Sequence, residues 1–479
     1  MWEREGLLGL GGRGKGRVVS GKEDCLTLAV FTPTRRPGKR LPVAVFIHGG
    51  GFAFGDYTAI GPQHLLDKDV VLVAVAYRLG TLGFLCLDLP SAPGNVGLLD
   101  QVLGLQWVQR NIAAFGGDPG RVTLMGESAG SASVSLLLLS PLASGLFHRA
   151  VLMSGAWPAA WTHNPRPAEA AVLIGRQAGC PTHSPEHLLH CLRYTKTIEE
   201  ITNATEVVRR AQQFKGSLGT FLTAPCSQAP GPHQLVPQRL DTTDHIAFLN
   251  RVPVLVGTVR DEGLLFAGLA WTNFLVPAGK LRDLEYFQGE FLADVLEGVW
   301  GPNSTEAGRP GQSMEEVRQG YFYPGELGRP RAILPGLARV MARFMMNQPT
   351  YELSLLLAPY LPVYLYSFDH LGQQSLIEFL LPPEGAPPLP PGVAHSDDLL
   401  YLFDLGLIQL EGRDVLARRT WVRTIASFIQ GGEPHPGLHP VTLGVDTKEQ
   451  QYLRIGTSAT VETDYTNTFF RGYGKQSYG

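Results

Sequence analysis

Ser128 stands in a sequence context that can turn a hydroxyl group into a nucleophile. Apolar and β-branched residues at Val122–Met125 predict a short buried strand, and residues 131–139 predict a helix that stops at Pro141. Between them, residues 126–130 are GESAG and match the pattern G-x-S-x-G. A sharp turn from strand to helix exposes one hydroxyl at the carboxyl edge of a sheet, beside a helix N-terminus that favours negative charge. The context therefore indicates nucleophilic catalysis by Ser128.

A base must remove the proton of such a serine, and we expect a histidine that follows a strand. His395 lies in a turn-rich segment downstream of the strand predicted at residues 362–368. His370 closes that same strand and is the alternative base.

An acid must fix the tautomer of the base, and it should lie between the serine and the histidine after another strand. Glu262 meets this condition because it follows the strand predicted at residues 252–257. Asp261, one residue earlier, is the alternative, and these positions alone do not choose between the two.

Backbone N–H groups must stabilise the oxyanion that forms when the nucleophile attacks a carbonyl. Ala129 follows the nucleophile and supplies one such donor. Gly50 and Gly51 are candidates for the others, because they lie in a His-Gly-Gly-Gly-Phe segment directly after the apolar strand predicted at residues 42–47.

Strand patterns alternate with helix patterns along the chain, and several of the strands are uniformly apolar. This arrangement predicts an α/β fold with a mostly parallel central sheet and helices on both faces. We expect residues 1–21 to be an atypical lead-in and residues 22–479 to form one domain. The Pro-rich segment 381–392 predicts a non-helical connection.

Composition excludes several classes of function. The chain has 479 residues with 40 basic and 43 acidic side chains, a balance that argues against a nucleic-acid or polybasic membrane partner. No apolar run reaches the ~18 residues of a membrane span, and residues 1–20 have no signal-peptide pattern. No cofactor and no metal site are predicted.

Two further features concern covalent modification. There are five cysteines, so at least one thiol has no partner within the chain. Asn203 and Asn303 each begin an N-x-S/T glycosylation triplet, a pattern that also occurs frequently by chance.

Taken together, these motifs resemble the type-B carboxylesterase/cholinesterase family of α/β-hydrolases. The order Ser128, Glu262, His395 is the order of that fold. The matching segments are EDCLTL (23–28), HGGGF (48–52), YRLG (77–80), GNVG (94–97), FGGDP (115–119), GESAG (126–130), DEG (261–263) and GVAHSDDL (392–399).

The resemblance implies a serine esterase that acts on a small-molecule ester. It assigns Ser128 as nucleophile, Glu262 as acid and His395 as base, and it gives the oxyanion donors as Gly50, Gly51 and Ala129. It implies an electrostatic role for Glu127, and a solvated or hydrogen-bonded elbow residue is the alternative.

The resemblance also implies a disulfide between Cys180 and Cys191, and with it an oxidising, secretory compartment that gives weight to both glycosylation triplets. It assigns no role to Cys86 or Cys226. Family members carry a longer N-terminal region, which includes the partner of Cys25, so we expect this chain to lack that region. An inactive truncated esterase is therefore one alternative, and a non-catalytic binding or adhesion protein of the same family is another.

Overall fold

The fold is described from a computed structural model that covers residues 21–58, 60–213, 222–228, 231, 234–236, 249–300, 313–381 and 386–470. The lead-in predicted for residues 1–21 lies outside these ranges except for Gly21, and Asn303 also lies outside them.

A nine-stranded sheet forms the centre of the described chain, in the order β1-β3-β2-β6-β7-β8-β9-β10-β11. Its strands are β1 (Leu28–Phe31), β2 (Leu41–Ile47), β3 (Val71–Val75), β6 (Gly117–Glu127), β7 (Arg149–Met153), β8 (Val254–Val259), β9 (Val363–Phe368), β10 (Gln451–Ile455) and β11 (Ala459–Thr463). The pairs β1/β3 and β10/β11 are antiparallel, and the other pairs are parallel. A separate two-stranded sheet pairs β4 (Cys86–Leu89) with β5 (Ala92–Pro93).

The α-helices cover both faces of the central sheet or lie in the connections between its strands. They are α1 (Gln63–Leu66), α2 (Gly80–Phe84), α3 (Val96–Asn111), α4 (Ala129–Leu138), α5 (Pro167–Gln177), α6 (Pro185–Tyr194), α7 (Ile198–Gln213), α8 (Gly263–Ala270), α9 (Leu284–Gln288), α10 (Phe291–Trp300), α11 (Met314–Tyr321), α12 (Leu334–Met341), α13 (Gln348–Leu357), α14 (Ile377–Leu380), α15 (Leu399–Leu402), α16 (Arg413–Ile429) and α17 (Tyr465–Phe469). Short 3₁₀ segments occupy Pro37–Lys39, Ile112–Phe115, Pro141–Ala143, Ala160–Thr162 and Lys280–Arg282, and π-helical segments occupy Trp271–Leu275 and Ala342–Asn347.

The pattern of β2 shows why its sequence is continuously apolar. Side chains alternate between the two faces of a strand. Val43, Val45 and Ile47 belong to the hydrophobic core on one face of the sheet, whereas Ala44 and Phe46 belong to the core on the other. A strand that is covered on both faces has no polar side, and the predicted mostly parallel sheet with helices on both faces is confirmed.

Parallel pairing brings the carboxyl ends of the central strands to one edge of the sheet. In the register of β6 with its neighbours, Gly126 lies opposite Ile47 of β2 and Glu127 lies opposite Met153 of β7. The segments that follow β2, β6, β8 and β9 therefore emerge close together, although they are far apart along the chain.

Two disulfides connect segments outside the sheet. Cys180 and Cys191 are bonded to each other across 11 residues, and Cys86 is bonded to Cys226 across 140 residues. Cys25 is a free thiol. The sequence indicated no partner for Cys86 or Cys226, so this second disulfide is a structural finding.

None of the helices in the described ranges is long and apolar enough to cross a lipid bilayer.

Candidate active site

Ser128 lies at the turn between β6 and α4 in a strained backbone conformation, with φ 55° and ψ −120°. Non-glycine residues rarely adopt a positive φ, and functional sites are where such strain concentrates. The turn is held because the N–H of Ser128 donates to the carbonyl of Met153 (2.8 Å) and the carbonyl of Ser128 accepts from Ala132 (2.9 Å). Gly130 is needed here, since a Cβ at that position would lie 2.1 Å from the carbonyl oxygen of Ile47.

His395 and Glu262 meet at the same edge of the sheet. Nδ1 of His395 lies 2.5 Å from Oε2 of Glu262, and both side chains are almost completely buried. The other carboxylate oxygen of Glu262 accepts the N–H of Val259 at the end of β8 (2.9 Å). Because an ionised carboxylate only accepts hydrogen bonds, the ring donates its Nδ1–H to Glu262, and Nε2 is the nitrogen that remains for proton transfer.

The alternative acid, Asp261, has a different set of contacts. Its Oδ2 accepts the N–H of Val393 (2.9 Å), and its own N–H donates to the carbonyl of Val393 (2.9 Å). Asp261 therefore anchors the loop that carries His395, whereas Glu262 contacts the imidazole itself.

The alternative base, His370, is engaged with another carboxylate. Its Nε2 lies 2.7 Å from Oδ1 of Asp414, and its ring lies edge-on to Tyr401 with centroids 5.3 Å apart. Both members of the His370–Asp414 pair are about 7% exposed. The structure thus contains a second buried histidine–carboxylate pair, at the start of α16, and Nε2 of His370 contacts the carboxylate.

The glycine-rich segment after β2 is fixed by hydrogen bonds of its backbone. Gly50 and Gly51 have positive φ angles of 109° and 60°, and the carbonyl of Gly50 accepts from the N–H groups of Ala53 and Phe54 (3.1 Å each). Tyr77 donates its hydroxyl to the carbonyl of His48 (2.9 Å). In the ranges that the structure describes, the N–H groups of Gly50, Gly51 and Ala129 have no backbone acceptor, and Ala129 begins α4. Three such unpaired donors can bind an oxyanion.

Glu127 lies on the other side of the imidazole from Glu262. Its Oε1 is 3.4 Å from Nε2 of His395 and accepts a 2.5 Å hydrogen bond from the hydroxyl of Ser396. Within the described part of the chain, no hydrogen bond joins Ser128 Oγ to His395. The imidazole therefore stands between two carboxylates, and its Nε2 faces Glu127.

The two carboxylates change the protonation of the histidine. Burial favours the neutral imidazole, but the charge and hydrogen bond of Glu262, together with the charge of Glu127, raise the pKa of His395 above the ordinary 6.5. Burial raises the pKa of Glu127, which the charge of His395 and the hydrogen bond from Ser396 lower in part.

Three groups around the histidine were not assigned roles from the sequence. Ser396 binds Glu127, as described above, and the ring of Phe266 packs against the imidazole with centroids 5.0 Å apart. Both carboxyl oxygens of Asp398 are buried with no hydrogen-bond partner in the described ranges, and burial raises the pKa of Asp398 well above its ordinary value. Ser396 and Asp398 lie in the GVAHSDDL segment, so their proximity to His395 was the available signal.

No group of three or more His, Cys, Asp or Glu side chains is placed to hold a metal ion in the part of the chain that the structure describes.

The described architecture is that of an α/β-hydrolase, with a strained serine at the carboxyl edge of a mostly parallel sheet. Residues 9–471 match the carboxylesterase family, so the chain belongs to that family and is a carboxylic ester hydrolase.

Several curated proteins are similar to the chain. It is 33% identical to juvenile hormone esterase of Tribolium castaneum over 449 residues, which cover 87% of this chain and 72% of that protein. It is 30% identical to esterase FE4 of Myzus persicae, with 92% of this chain and 76% of that protein covered. It is also 30% identical to the pyrethroid hydrolase Ces2a of Mus musculus, with 92% and 74% covered.

Proposed function

We propose that Ser128, His395 and Glu262 hydrolyse carboxylic esters through an acyl-enzyme intermediate. Nε2 of His395 takes the proton of Ser128 as Oγ attacks the ester carbonyl, and Glu262 stabilises the imidazolium that forms. The imidazolium then protonates the leaving alcohol. Water, deprotonated by the same histidine, attacks the acyl group and restores Ser128.

The oxyanion of each tetrahedral intermediate binds to the N–H groups of Gly50, Gly51 and Ala129. The N–H groups of Gly50 and Gly51 lie in a strained, hydrogen-bonded turn, and that of Ala129 belongs to the first residue of α4. These donors are already in place and need little reorganisation during the reaction. Loss of one such donor in comparable enzymes costs about a hundred- to a thousandfold in rate.

One observation carries the proposal: the buried contact of 2.5 Å between Glu262 and His395 lies at the sheet edge that also bears Ser128 in its strained turn. A buried His–carboxylate pair alone is not sufficient, since His370 and Asp414 form one too. The pair formed by His395 lies near the serine, because His395 contacts Glu127 and Glu127 directly precedes Ser128.

The substrate is a small-molecule ester rather than a nucleic acid, in keeping with the nearly balanced charge of the chain. Residues 22–479 act as one catalytic domain. The Cys180–Cys191 disulfide supports an oxidising, secretory compartment, where Asn203 and Asn303 are glycosylation sites. Asn203 is exposed on α7.

Replacement of Ser128 tests the proposal. We expect Ser128→Ala to lower kcat for p-nitrophenyl esters by about a thousandfold or more and to abolish covalent labelling by a fluorophosphonate. Ser144→Ala, which changes an exposed serine outside the site, is the matched control and should behave as the wild type. Wild-type activity of Ser128→Ala would refute the assignment.

A further inference from the structure

Ser396 has a backbone conformation that is unfavourable for a residue with a side chain. Its φ is 72°, in the left-handed region that residues with a Cβ rarely adopt. Hydrogen bonds on both sides hold the turn, because Asp397 donates its N–H to the carbonyl of Ala394 (3.0 Å) and Leu399 donates to the carbonyl of Ser396 (3.0 Å). The strained turn directs the hydroxyl of Ser396 to the end of β6.

The hydroxyl reaches the carboxylate that also faces the base. Ser396 Oγ is 2.5 Å from Oε1 of Glu127, and Nε2 of His395 is 3.4 Å from the same oxygen. A carboxylate oxygen has two lone pairs, so Oε1 can accept from both groups, but the short hydrogen bond from Ser396 takes one lone pair and part of its charge. The hydroxyl therefore weakens the attraction of Oε1 for the imidazole.

This weakening matters because Nε2 is the atom that must accept the proton of Ser128. Glu127 is only 3% exposed, so its carboxylate depends on protein donors such as Ser396 for its hydrogen bonds. Without the hydroxyl, Oε1 would be free to form a direct ion pair with a protonated His395 and to turn Nε2 away from the serine.

We propose that Ser396 is a positioning residue whose hydroxyl occupies Oε1 of Glu127 and thereby keeps Nε2 of His395 available to Ser128. The inference rests on the roles proposed above for Ser128 and His395.

Other titratable groups interact electrostatically with Glu127 and His395. In the described part of the chain these groups are acids and tyrosines. They are Glu262 after β8, Asp397 and Asp398 on the histidine loop, Tyr77 after β3 and Tyr366 in β9. Ser396 donates a hydrogen bond to Oε1 of Glu127, and His395 is the other group near that oxygen in the described ranges.

Removal of the hydroxyl has two expected effects. In Ser396→Ala, a closer pair of Glu127 with His395 lowers kcat by about tenfold with little change in KM, because proton transfer from Ser128 suffers more than binding. The same pair stabilises the imidazolium, so the acid limb of the kcat/KM profile moves to higher pH.

A double-mutant cycle with Glu127→Gln provides the test. A neutral amide forms no ion pair with the imidazolium, so Ser396→Ala should cost less than about twofold in the E127Q background. A loss of the same size in both backgrounds, or wild-type kinetics of Ser396→Ala, would overturn the proposal.

Two further variants distinguish the positioning role of the Ser396 hydroxyl from a general structural effect. Ser396→Gly removes the hydroxyl but relieves the strained φ, so it should reproduce the kinetic loss even if Ser396→Ala folds poorly. Ser375→Ala removes a comparable hydroxyl–carboxylate contact, from Ser375 to Asp397 (2.8 Å), which does not involve Glu127. An equal shift of the pH profile in Ser375→Ala would contradict the proposal.

Measurement of Ser128→Ala in the same series separates this inference from the proposed function. An active Ser128→Ala would overturn both. An inactive Ser128→Ala combined with a wild-type Ser396→Ala would overturn the role of Ser396 alone.

Discussion

Glu127 approaches Nε2 of His395 to 3.4 Å, on the ring nitrogen opposite the one that Glu262 binds. A buried imidazole thus lies between two carboxylates, which raise its pKa. The arrangement stabilises the imidazolium that forms during the reaction, but it also favours the protonated ring in the free enzyme. The pH dependence of the enzyme should report this balance.

The pH profile should respond to the charge of Glu127. His395 must be neutral to accept a proton, so kcat/KM rises as the pH rises through the pKa of His395. Glu127 raises that pKa, and Glu127→Gln removes the charge. We expect the acid limb of the kcat/KM profile to move to lower pH by roughly one unit. Glu199→Gln, at an exposed position on α7, is the charge-matched control. A shift to higher pH would contradict the electrostatic role of Glu127.

The two buried histidines should respond differently to replacement. His395→Ala removes the proposed base and should lower kcat by about a thousandfold or more. His370→Ala removes the shortest hydrogen bond of the buried carboxylate of Asp414, which should lower the free energy of unfolding by about 1–3 kcal/mol with kcat largely kept. Ester kinetics and urea unfolding of both variants test this. If His370→Ala were inactive but stable, His370 would be the better candidate for the base.

Most of the framework that brings these groups together was predictable from sequence. The strands predicted at residues 42–47, 252–257 and 362–368 became β2, β8 and β9, because a strand buried on both faces tolerates few polar residues. Boundaries were less accurate. The predicted strand Val122–Met125 extends over Gly117–Glu127, and the helix predicted at residues 131–139 covers Ala129–Leu138. Strands β10 and β11 were not predicted, since polar residues interrupt the apolar pattern of both.

Contacts between distant polar side chains could not be predicted in the same way. Ser396 was visible as part of a motif, but its hydrogen bond to Glu127 depends on a positive φ and on the register of β6. The partner of Cys86 was equally hidden, because Cys226 lies 140 residues further along the chain. Periodicity reports local burial, whereas these pairs result from the tertiary fold.

The turn that contains Gly50 should not tolerate a side chain. A Cβ at Gly50 would lie 2.0 Å from the carbonyl oxygen of Phe54, and φ is 109°. Gly50→Ala should therefore displace the oxyanion donors and lower kcat by about a hundredfold or more. Gly145→Ala is the matched control, because Gly145 also has a positive φ of 73° but an added Cβ there would meet no atom within 4 Å. It should cost about 1–2 kcal/mol of stability and leave kcat unchanged. Equal kinetics of both variants would argue against oxyanion binding by this turn.

The two disulfides should contribute unequally to stability. By the chain-entropy relation, a bridge across 140 residues contributes about 5 kcal/mol and a bridge across 11 residues about 3 kcal/mol. We expect denaturant unfolding to rank the double variant C86S/C226S below C180S/C191S, with Cys25→Ser close to the wild type. Thiol titration of the denatured, unreduced protein should find one thiol, that of Cys25. Free thiols at both Cys180 and Cys191 would contradict the disulfide that the family resemblance implies.

Glycosylation at Asn203 can be separated from the structural role of the same triplet. Asn203 is exposed on α7, whereas Thr205 is buried, donates to the carbonyl of Ile201 (2.8 Å) and contacts the hydroxyl of Thr81 (2.5 Å). In protein made through a eukaryotic secretory pathway, Asn203→Gln should remove one glycan with stability nearly unchanged. Thr205→Ala should remove the glycan and also lower the free energy of unfolding by about 1–3 kcal/mol, because Thr81 loses its partner.

Thr205→Ser keeps both the triplet and a hydroxyl, so it should retain the glycan and most of the stability. Mass shifts on treatment with an N-glycosidase and denaturant unfolding measure the two effects independently. An unchanged glycan mass in Asn203→Gln would show that Asn203 is not modified. The triplet on α7 would then give no support to a secretory location.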